Sequence, residues 1–271
     1  MKIGTRNFDT EHMTYIMGIL NVTPDSFSDG GKFNQMDAAL FHVEEMIKEG
    51  AAIIDVGGES TRPGYTRISD DEEIQRVTPV IEEIKKRFDI PISIDTYKSK
   101  VAAAAVEAGA DLINDIWGLK ADPDMARVIA ESGTACCLMH NRKNTDYTDF
   151  IEDMLKDLQE SVALAKTAGI PKDKIMLDPG VGFAKSYEQN LLAIQQVGRL
   201  KELGYPVLLG TSRKSVVGLT LDTDKNERVE GTLVTSVYGV QQGCAFLRVH
   251  DVKENLRAVN MTRAIMMGKR G

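Results

Sequence analysis

Polar side chains that can bind ligands stand at the ends of short apolar runs along most of this sequence. The members with oxygen-bearing side chains are Asn21, Asp55, Asp95, Asn114, Asp115, Asp178 and Ser212. The basic members are His140, Lys214, Arg248 and His250. One polar residue at the end of an apolar run needs no functional explanation, because a strand must end in a turn. A polar residue at the end of nearly every run does need one, and it predicts a shared site that binds its substrates by hydrogen bonds and charge.

The runs that must position these residues alternate with amphipathic segments. Most are rich in Ile, Leu and Val throughout, as is typical of parallel strands that are buried on both faces. The eight predicted strands are 15–20, 51–56, 91–95, 111–116, 134–140, 174–180, 207–211 and 245–249, and helices are predicted over 70–87, 149–168 and 186–203. This α/β alternation predicts a single (β/α)8 TIM barrel over residues 1–271, with an open doubly wound sheet as the alternative.

Two of the predicted connections are long. The first strand is followed by 22–36, and the second by 57–68, and both contain Gly, Ser and Thr. Loops that follow barrel strands lie at the mouth where barrel enzymes place their active sites. We therefore expect long active-site loops after the first and second barrel strands that act as mobile lids, with passive surface loops as the alternative.

Composition excludes several other classes of protein. The net charge of −7 over 271 residues argues against a surface for nucleic acid or for an anionic membrane. The sequence has no signal-like apolar segment near residue 1 and no apolar stretch long enough for a membrane span, so we expect a cytoplasmic location. Cys136, Cys137 and Cys244 have neither disulfide nor metal spacing, which predicts small buried residues.

Taken together, the strand-end motifs resemble those of the dihydropteroate synthases, a family of pterin-binding barrel enzymes. The matching segments are NVTPDSFSDGG (21–31), ESTRPG (59–64), SIDTYK (93–98), NDIWG (114–118), MH (139–140), DPGVGF (178–183), TSRKS (211–215) and RVHDV (248–252). Each motif alone is weak, but the ordered set is specific and runs from the first strand to the last. The resemblance implies a condensation of a pterin-methyl diphosphate with p-aminobenzoate that releases pyrophosphate.

The resemblance also implies which residues read the pterin ring. Asp178 would pair with its guanidine-like edge, Asn114 with a neighbouring ring nitrogen, and Asp95 with the other side. Lys214 would reach a ring oxygen or nitrogen. For Asp95 the alternative is a helix N-cap, since a helix is expected to start near Ser99.

A second set of residues would hold the diphosphate. The resemblance assigns Asn21, Arg62, Arg248 and His250 to this group, with Asn21 as the contact to a Mg²⁺ cofactor. Asp95, Lys214, Arg248 and Arg62 are the candidates for catalysis. His250 beside Asp251 has an alternative reading as a capping pair, and His140 is left open between a pocket wall and a functional residue.

The amine slot is the third part of the implied site. By resemblance it is lined by Phe27, Thr61, Pro63, Phe183, Lys214 and Ser215. The two long loops would close over the diphosphate and build this slot in the same step, because a cationic pterin intermediate must be kept from water. Sulfonamides are then expected to compete with p-aminobenzoate. The two phenylalanines have an alternative as loop anchors.

Two departures from the family pattern and several rival functions remain. Asn141-Arg142-Lys143 stands where many members have a Met–x–Gly sequence, and Ala184 stands where many have Gly, which leaves the behaviour of these loops open. The rivals are a methyltetrahydrofolate-dependent methyltransferase, Schiff-base chemistry at Lys214, and a carrier without catalysis. Family resemblance suggests a homodimer formed through helices remote from the mouth, with small-molecule substrates as the other partners.

Overall fold

A computed structural model describes residues 1–23, 32–59 and 67–269 of the chain, with side chains from residue 35 onward in the second range. A short antiparallel hairpin, β1 (Lys2–Ile3) and β2 (Arg6–Asn7), comes first. Eight parallel strands follow within the described residues, and together they form one sheet. They are β3 (Tyr15–Asn21), β4 (Ile53–Gly57), β5 (Ile92–Asp95), β6 (Leu112–Asp115), β7 (Ala135–Met139), β8 (Ile175–Asp178), β9 (Leu208–Leu209) and β10 (Phe246–Val249).

This sheet closes into a barrel. Its strand order is β8-β7-β6-β5-β4-β3-β10-β9, and β3 and β10 are parallel neighbours. The two ends of the order meet at a parallel bridge between Leu177 and Val207, where the Leu177 N–H donates to the Pro206 carbonyl at 2.9 Å. The (β/α)8 prediction is therefore confirmed. The alternative of an open doubly wound sheet is wrong, because the two edge strands of an open sheet would not be joined by such a bridge.

Helices cover the outside of the barrel. They are α1 (Lys32–Glu49), α2 (Asp70–Arg87), α3 (Ser99–Glu107), α4 (Met125–Ser132), α5 (Phe150–Thr167), α6 (Tyr187–Gln195), α7 (Ser215–Leu221), α8 (Val229–Gln241) and α9 (Val252–Met267). The predicted helix 70–87 has the bounds of α2. The Ser69 hydroxyl accepts from the Glu72 N–H, four acidic residues occupy the first turn and three basic residues the last, which complements the helix dipole at both ends.

One predicted helix is divided. The segment 186–203 forms α6 only as far as Gln195 and then continues as a 3₁₀ helix over Val197–Leu203. Gly198 of this 3₁₀ helix lies close to Gln242, the residue that follows α8, and a Cβ there would stand 2.6 Å from Gln242 Oε1. Tertiary packing, which the periodicity cannot report, overrides the α-helical pattern.

The inward-facing side chains of most barrel strands change from apolar to polar between one inward position and the next, two residues further along the strand. Buried apolar side chains form one cluster in its lower part, among them Met17, Ile53, Leu112, Cys137, Met176, Leu208 and Phe246. Because alternate residues of a strand face the same side, the next inward positions toward the carboxyl ends are Ile19, Asp55, Asn114, Met139, Asp178, Gly210 and Arg248. The strands therefore carry a dry core below and a polar site above it.

The amino-terminal hairpin covers the opposite, apolar end of the barrel. Phe8 contacts Tyr15 edge-on with ring centroids 4.8 Å apart, and it lies 5.6 Å from the ring of Phe246. The α-amino group of Met1 donates to the Phe8 carbonyl at 3.0 Å. This end of the barrel therefore serves stability, because the polar binding groups lie at the other end.

Two further sequence predictions can be compared with the structure. Cys136, Cys137 and Cys244 are buried and free, as predicted. Among the helices in residues 1–23, 32–59 and 67–269, none combines the length and apolar character that crossing a membrane requires.

Candidate active site

The polar strand-end side chains converge at the carboxyl-terminal mouth of the barrel. Asp55, Asp95, Asn114 and Asp178 come from β4, β5, β6 and β8, and each exposes less than a tenth of its surface. Arg248 comes from β10, beside β3. Removing so many polar groups from water costs free energy unless each finds a partner, so their hydrogen bonds decide what the site can do.

Arg248 lies between two carboxylates, and we call Asp55, Asp95 and Arg248 the Arg248 cluster. Its Nε donates to Asp55 Oδ2 and its Nη2 to Asp95 Oδ2, each at 2.6 Å. These contacts use two of the five N–H groups of the guanidinium. Asp95 therefore does not cap α3: the N-cap is Lys98, without a side-chain cap bond.

The carboxylates of the Arg248 cluster are only half satisfied. Oδ1 of Asp55 and Oδ1 of Asp95 are buried and have no hydrogen-bond partner among the residues that the structure describes. Burial raises the pKa of Asp95 to about 7, against the opposing effect of Arg248 and with a further increase from Asp55. Buried acceptors without donors mark a place where a ligand with N–H groups gains more than it would in water.

Asp178 and Lys214 form the adjacent part of the mouth. A Cβ at Gly210 would stand 3.7 Å from Asp178 Oδ2 and 3.8 Å from Lys214 Nζ, so this glycine keeps open the space where the two charges approach. Burial lowers the pKa of Lys214 to about 8, although Asp178 opposes the shift. Burial also raises the pKa of Asp178, against Lys214 and the Gly180 N–H that donates to its Oδ1 at 2.6 Å.

Lys214 also contacts the turn that follows β8. Its ammonium lies 5.0 Å from the centroid of the Phe183 ring and donates to the Val181 carbonyl. A Cβ at Gly182 would come within 3.2 Å of the Lys214 Cδ atom. Lys214 and Phe183 therefore share one wall, and Ser215 is exposed beside them at the start of α7.

His250 is held by Ser212, which follows β9 at the mouth of the barrel. Its Nδ1 lies 3.0 Å from the Ser212 hydroxyl, which also accepts from the His250 backbone N–H at 3.1 Å. Asp251 makes no side-chain cap bond to α9 and instead pairs with Arg213 through its Nε at 3.1 Å. The capping-pair alternative for His250 and Asp251 is therefore wrong.

Asn21 stands at the end of β3 next to the Arg248 cluster. A Cβ at Gly57 would lie 3.8 Å from both Asn21 Oδ1 and Asp95 Cβ, so Gly57 separates these two side chains. Amide and carboxylate oxygens are suitable ligands for Mg²⁺ when phosphates and waters complete its shell. Within the described residues no group of three or more His, Cys, Asp or Glu could hold a metal ion by itself.

A second buried cluster lies beside the first, and we call Glu59, Glu73, Tyr97 and Lys98 the Lys98 cluster. Lys98 Nζ contacts Glu59 Oε2 and Glu73 Oε2, each at 2.7 Å, and donates to the Ile68 carbonyl at 2.9 Å. The other Glu59 oxygen accepts from the Tyr97 hydroxyl at 2.8 Å. Three acceptors thus surround the three N–H groups of the lysine.

The structure places some predicted site residues and not others. Asp95, Asn114, Asp178, Lys214, Arg248, Asn21, His250, Phe183 and Ser215 all lie at the mouth. Phe27, Thr61, Arg62 and Pro63 lie outside the described residues. Asp115 belongs to a turn instead, since its oxygens accept from the N–H groups of Trp117 and Leu119 at 2.9 and 2.7 Å.

Sequence reasoning assigned no role to Asp55 or Lys185. Asp55 was visible as a strand-end carboxylate, and its place two residues after Ile53 could have put it on the inner face. Lys185 carries no such signal, because it lies seven residues beyond the last residue of β8 and reaches back to His140 Nδ1 at 2.9 Å. Only the folded chain brings Lys185 and His140 together.

Comparison with known proteins identifies the family. The model for the pterin binding enzymes matches residues 17–250. A dihydropteroate synthase from Clostridium beijerinckii is 61% identical over 267 residues, which is 98% of this chain and 99% of the relative. The chain belongs to the dihydropteroate synthase family of pterin-binding enzymes.

Solved structures agree with this assignment. A dihydropteroate synthase from Clostridium difficile, in the presence of pteroic acid, has a TM-score of 0.93 and 52% identity, and the match covers 96% of this chain and 99% of that one. A dihydropteroate synthase from Xanthomonas albilineans, with 4-aminobenzoic acid, has a TM-score of 0.90 and 41% identity over 94% and 93% of the two chains. The family prediction is confirmed.

Proposed function

We propose that this chain condenses 6-hydroxymethyl-7,8-dihydropterin diphosphate with p-aminobenzoate, giving 7,8-dihydropteroate and pyrophosphate for folate biosynthesis. The names of its relatives support this reaction. The observation that carries it is the buried set Asp95, Asn114 and Asp178 in the middle of the mouth, where Oδ1 of Asp95 has no hydrogen-bond partner among the described residues. Such a set suits a flat heterocycle whose edge presents several N–H groups.

Within this proposal the buried set reads the pterin ring. Asp178 accepts from the guanidine-like edge, Asn114 contacts a ring nitrogen, and Asp95 accepts from the other side through its unpartnered Oδ1. Lys214 donates to a ring oxygen or nitrogen. A ligand that lacks one of these groups leaves a buried polar atom unpaired, which is a strong basis for discrimination.

The diphosphate lies on the cationic side of the mouth. Arg248 and His250 contact it from the end of β10, and family resemblance assigns Arg62 to the same group. Mg²⁺ with Asn21 as one ligand supplies charge neutralisation of the leaving pyrophosphate when it is bound. Asp55 and Asp95 hold the Arg248 guanidinium from behind, so its remaining N–H groups can address the phosphate oxygens.

The reaction we propose is a dissociative, SN1-like displacement. The bond between the pterin methylene carbon and the diphosphate oxygen breaks, and its electron pair leaves with pyrophosphate. Asp95 and Asp178 stabilise the positive charge that spreads over the pterin. The p-aminobenzoate nitrogen then forms the new bond to the methylene carbon and loses a proton.

The amine substrate occupies a slot against the wall formed by Lys214 and Phe183. Ser215 lies beside them, and Phe27, Thr61 and Pro63 are assigned to the same slot by family resemblance. Lys214 over the Phe183 ring offers a cation above a flat surface, which suits an aromatic carboxylate. Sulfonamides have a similar flat shape, and we expect inhibition that is competitive with p-aminobenzoate.

Two rivals from the sequence can be tested. The methyltetrahydrofolate-dependent methyltransferase would share the pterin readers but would not release pyrophosphate. Schiff-base chemistry would use Lys214, whose pKa burial lowers to about 8. Borohydride trapping with a carbonyl substrate would label Lys214 in that case, and we expect no such label.

The direct experiment is incubation with both substrates and Mg²⁺ while pyrophosphate is measured. Asp178→Asn should lose most turnover, whereas Asp124→Asn, the same change at an exposed position, should keep it. Absence of pyrophosphate with the unchanged enzyme would overturn the proposed function. Exhaustive chelation should abolish turnover and Mg²⁺ should restore it; full turnover after chelation would remove the metal from the proposal.

We further propose a homodimer. Large apolar side chains are more than a third exposed along α6 to α9, at Leu191, Leu192, Leu219, Leu221, Val234, Met261, Ile265, Met266 and Met267. A surface of this kind favours a partner, and α8 packs along α9 to form a continuous support. Sedimentation should give twice the chain mass, and Val234→Glu should shift it to the monomer, whereas Leu164→Glu on α5 should not.

A cytoplasmic location remains our expectation. Its support is the state of the three cysteines, which are free and buried. Proteins from oxidising compartments more often pair their cysteines in disulfides.

A further inference from the structure

The turn after β8 is held from within by one lysine. Lys185 Nζ donates to the carbonyls of Gly180 and Phe183, at 2.8 and 3.0 Å, and contacts His140 Nδ1 at 2.9 Å. These three acceptors match the three N–H groups of an ammonium. The Phe183 N–H in turn donates to the Gly180 carbonyl at 3.1 Å, so both ends of the turn are fixed to the same nitrogen.

His140 connects Lys185 to a helix on the outside of the barrel. Because its Nδ1 accepts from the ammonium, its proton must be on Nε2, which lies 3.0 Å from Asp157 Oδ2 on α5. Burial lowers the pKa of His140 to about 4, so the ring is neutral at ordinary pH. The His140 ring therefore joins α5 to Lys185 through one hydrogen bond on each of its nitrogens.

The same contacts continue into a closed ring. Arg142 Nε donates to Asp157 Oδ2 at 2.5 Å, and the Arg142 guanidinium lies 4.3 Å from the centroid of Tyr147. The Tyr147 hydroxyl donates to the Ala184 carbonyl at 2.9 Å. Ala184 precedes Lys185, and the ring is complete.

This ring contains both departures from the family pattern that the sequence shows. Arg142 belongs to the changed segment 141–143, and Ala184 stands where many members have Gly. Ala184 has φ +43, a left-handed conformation that a residue with a Cβ adopts reluctantly. The hydrogen bond from Tyr147 holds the carbonyl of this strained residue, so the two departures are linked.

We propose that Lys185 is a positioning residue that, through this ring, holds the Phe183 wall in the orientation required by the amine substrate. The inference rests on the proposed function, which assigns Phe183 to the amine slot. Lys185 itself does not touch the pterin readers. Asp178 is the last residue of β8, which holds it in place independently of Lys185.

The pH dependence follows from the groups that face Lys185. Burial lowers its pKa to about 7, Asp178 and Asp157 oppose this shift, and Lys214 and Arg142 increase it. Neutral His140 is the remaining neighbour. Above that pH the amine keeps two N–H groups for three acceptors, so the turn loosens as pH rises.

The experiment compares the two KM values of the enzyme by pyrophosphate release. Lys185→Met should raise KM for p-aminobenzoate about tenfold and leave KM for the pterin diphosphate within about twofold, as expected when only one substrate's wall is displaced. Lys143→Met makes the same change at an exposed lysine in the adjoining loop and should leave both values unchanged. Thermal unfolding of each variant shows that it is folded.

Two more variants keep the test sharp. In the unchanged enzyme KM for p-aminobenzoate should rise as pH increases above about 7. Lys185→Arg stays charged and should reduce this rise, although Lys214 still titrates in both proteins. Tyr147→Phe breaks the ring without changing charge and should raise the same KM about threefold, a smaller loss because one neutral hydrogen bond is removed.

The outcomes separate this inference from the proposed function. A folded Lys185→Met protein with an unchanged ratio of the two KM values would overturn the positioning role alone. An equal rise in both values would also overturn it, because that result indicates a general loosening of the mouth. No turnover in the unchanged enzyme would overturn the proposed function and this inference with it.

Discussion

The Arg248 cluster and the Lys98 cluster have the same charge composition, one cation between two carboxylates, but the protein satisfies them to different degrees. Lys98 and both oxygens of Glu59 have hydrogen-bond partners. Glu73 Oε2 has no hydrogen bond among the described residues but forms an ion pair with Lys98 at 2.7 Å. In the Arg248 cluster the outer oxygens of Asp55 and Asp95 have no partner within residues 1–23, 32–59 and 67–269. Both clusters remove charge from water, so the difference lies in what completes them.

The partners explain the difference. In the Lys98 cluster the additional donor and acceptor are the N–H and carbonyl of Ile68, so its buried charges hold the backbone of Ile68. In the Arg248 cluster the missing donors must come from outside the described chain. A buried charge that the fold completes is structural, whereas one that the fold leaves incomplete is kept for a ligand.

The largest effect we predict is on stability, at the complete cluster. Lys98→Met leaves Glu59 and Glu73 buried without a cation and should lower the free energy of unfolding by about 3–5 kcal/mol, measured by urea denaturation. The double variant Lys98→Met/Glu73→Gln should recover part of this loss. A loss below about 1 kcal/mol would mean that the cluster is not structural.

Arg248→Met leaves Asp55 and Asp95 without their buried cation, so its effect on catalysis is measured on protein that thermal unfolding shows to be folded. Removing the cation that faces the diphosphate should lower kcat/KM by about a hundredfold to a thousandfold. Arg127→Met makes the same change at an exposed position on α4 and should leave kcat/KM within about twofold. A tenfold loss or less, measured by pyrophosphate release, would contradict the role of Arg248 in substrate binding.

The sequence predicted the Arg248 side of this comparison much better than the Lys98 side. Asp95, Asn114 and Asp178 follow apolar runs, and the ends of parallel strands meet at one edge, so their convergence is visible in the spacing. Lys98 was recognised only as the last residue of the SIDTYK segment (93–98), with no role assigned to it. Its partners lie 39 and 25 positions away on a loop and a helix, and side-chain reach across such distances is decided by packing.

The same distinction explains the errors at the level of elements. The bounds of α2 follow from local signals, a serine cap and charged end turns, and the prediction matched them. The division of 186–203 into α6 and a 3₁₀ helix follows from no such local signal. The alternative of a capping pair at His250 and Asp251 failed for a similar reason. Asp251 pairs with Arg213, which follows the neighbouring strand β9, and the sequence does not show this contact.

We also predict an effect on the pH dependence of stability. Asp95 has a pKa of about 7 in the folded protein, compared with an ordinary value of 3.8, because it is buried. Between these values the folded protein holds a proton that the unfolded chain has lost, so stability falls as pH rises. Between about pH 4 and pH 7 the curve of the unchanged protein should therefore fall more steeply than that of Asp95→Asn. Parallel curves for the two proteins would show that Asp95 is ionised throughout this range.

The central claim is that the Arg248 cluster is incomplete because a pterin completes it. The most direct test measures two quantities in Asp95→Asn, the free energy of unfolding without ligand and the affinity for a free pterin by calorimetry. We predict that stability changes less than in Lys98→Met, because the unpartnered oxygen contributes little to the fold, while pterin affinity falls about a hundredfold. A loss of stability as large as that of Lys98→Met, with pterin affinity retained, would contradict the account.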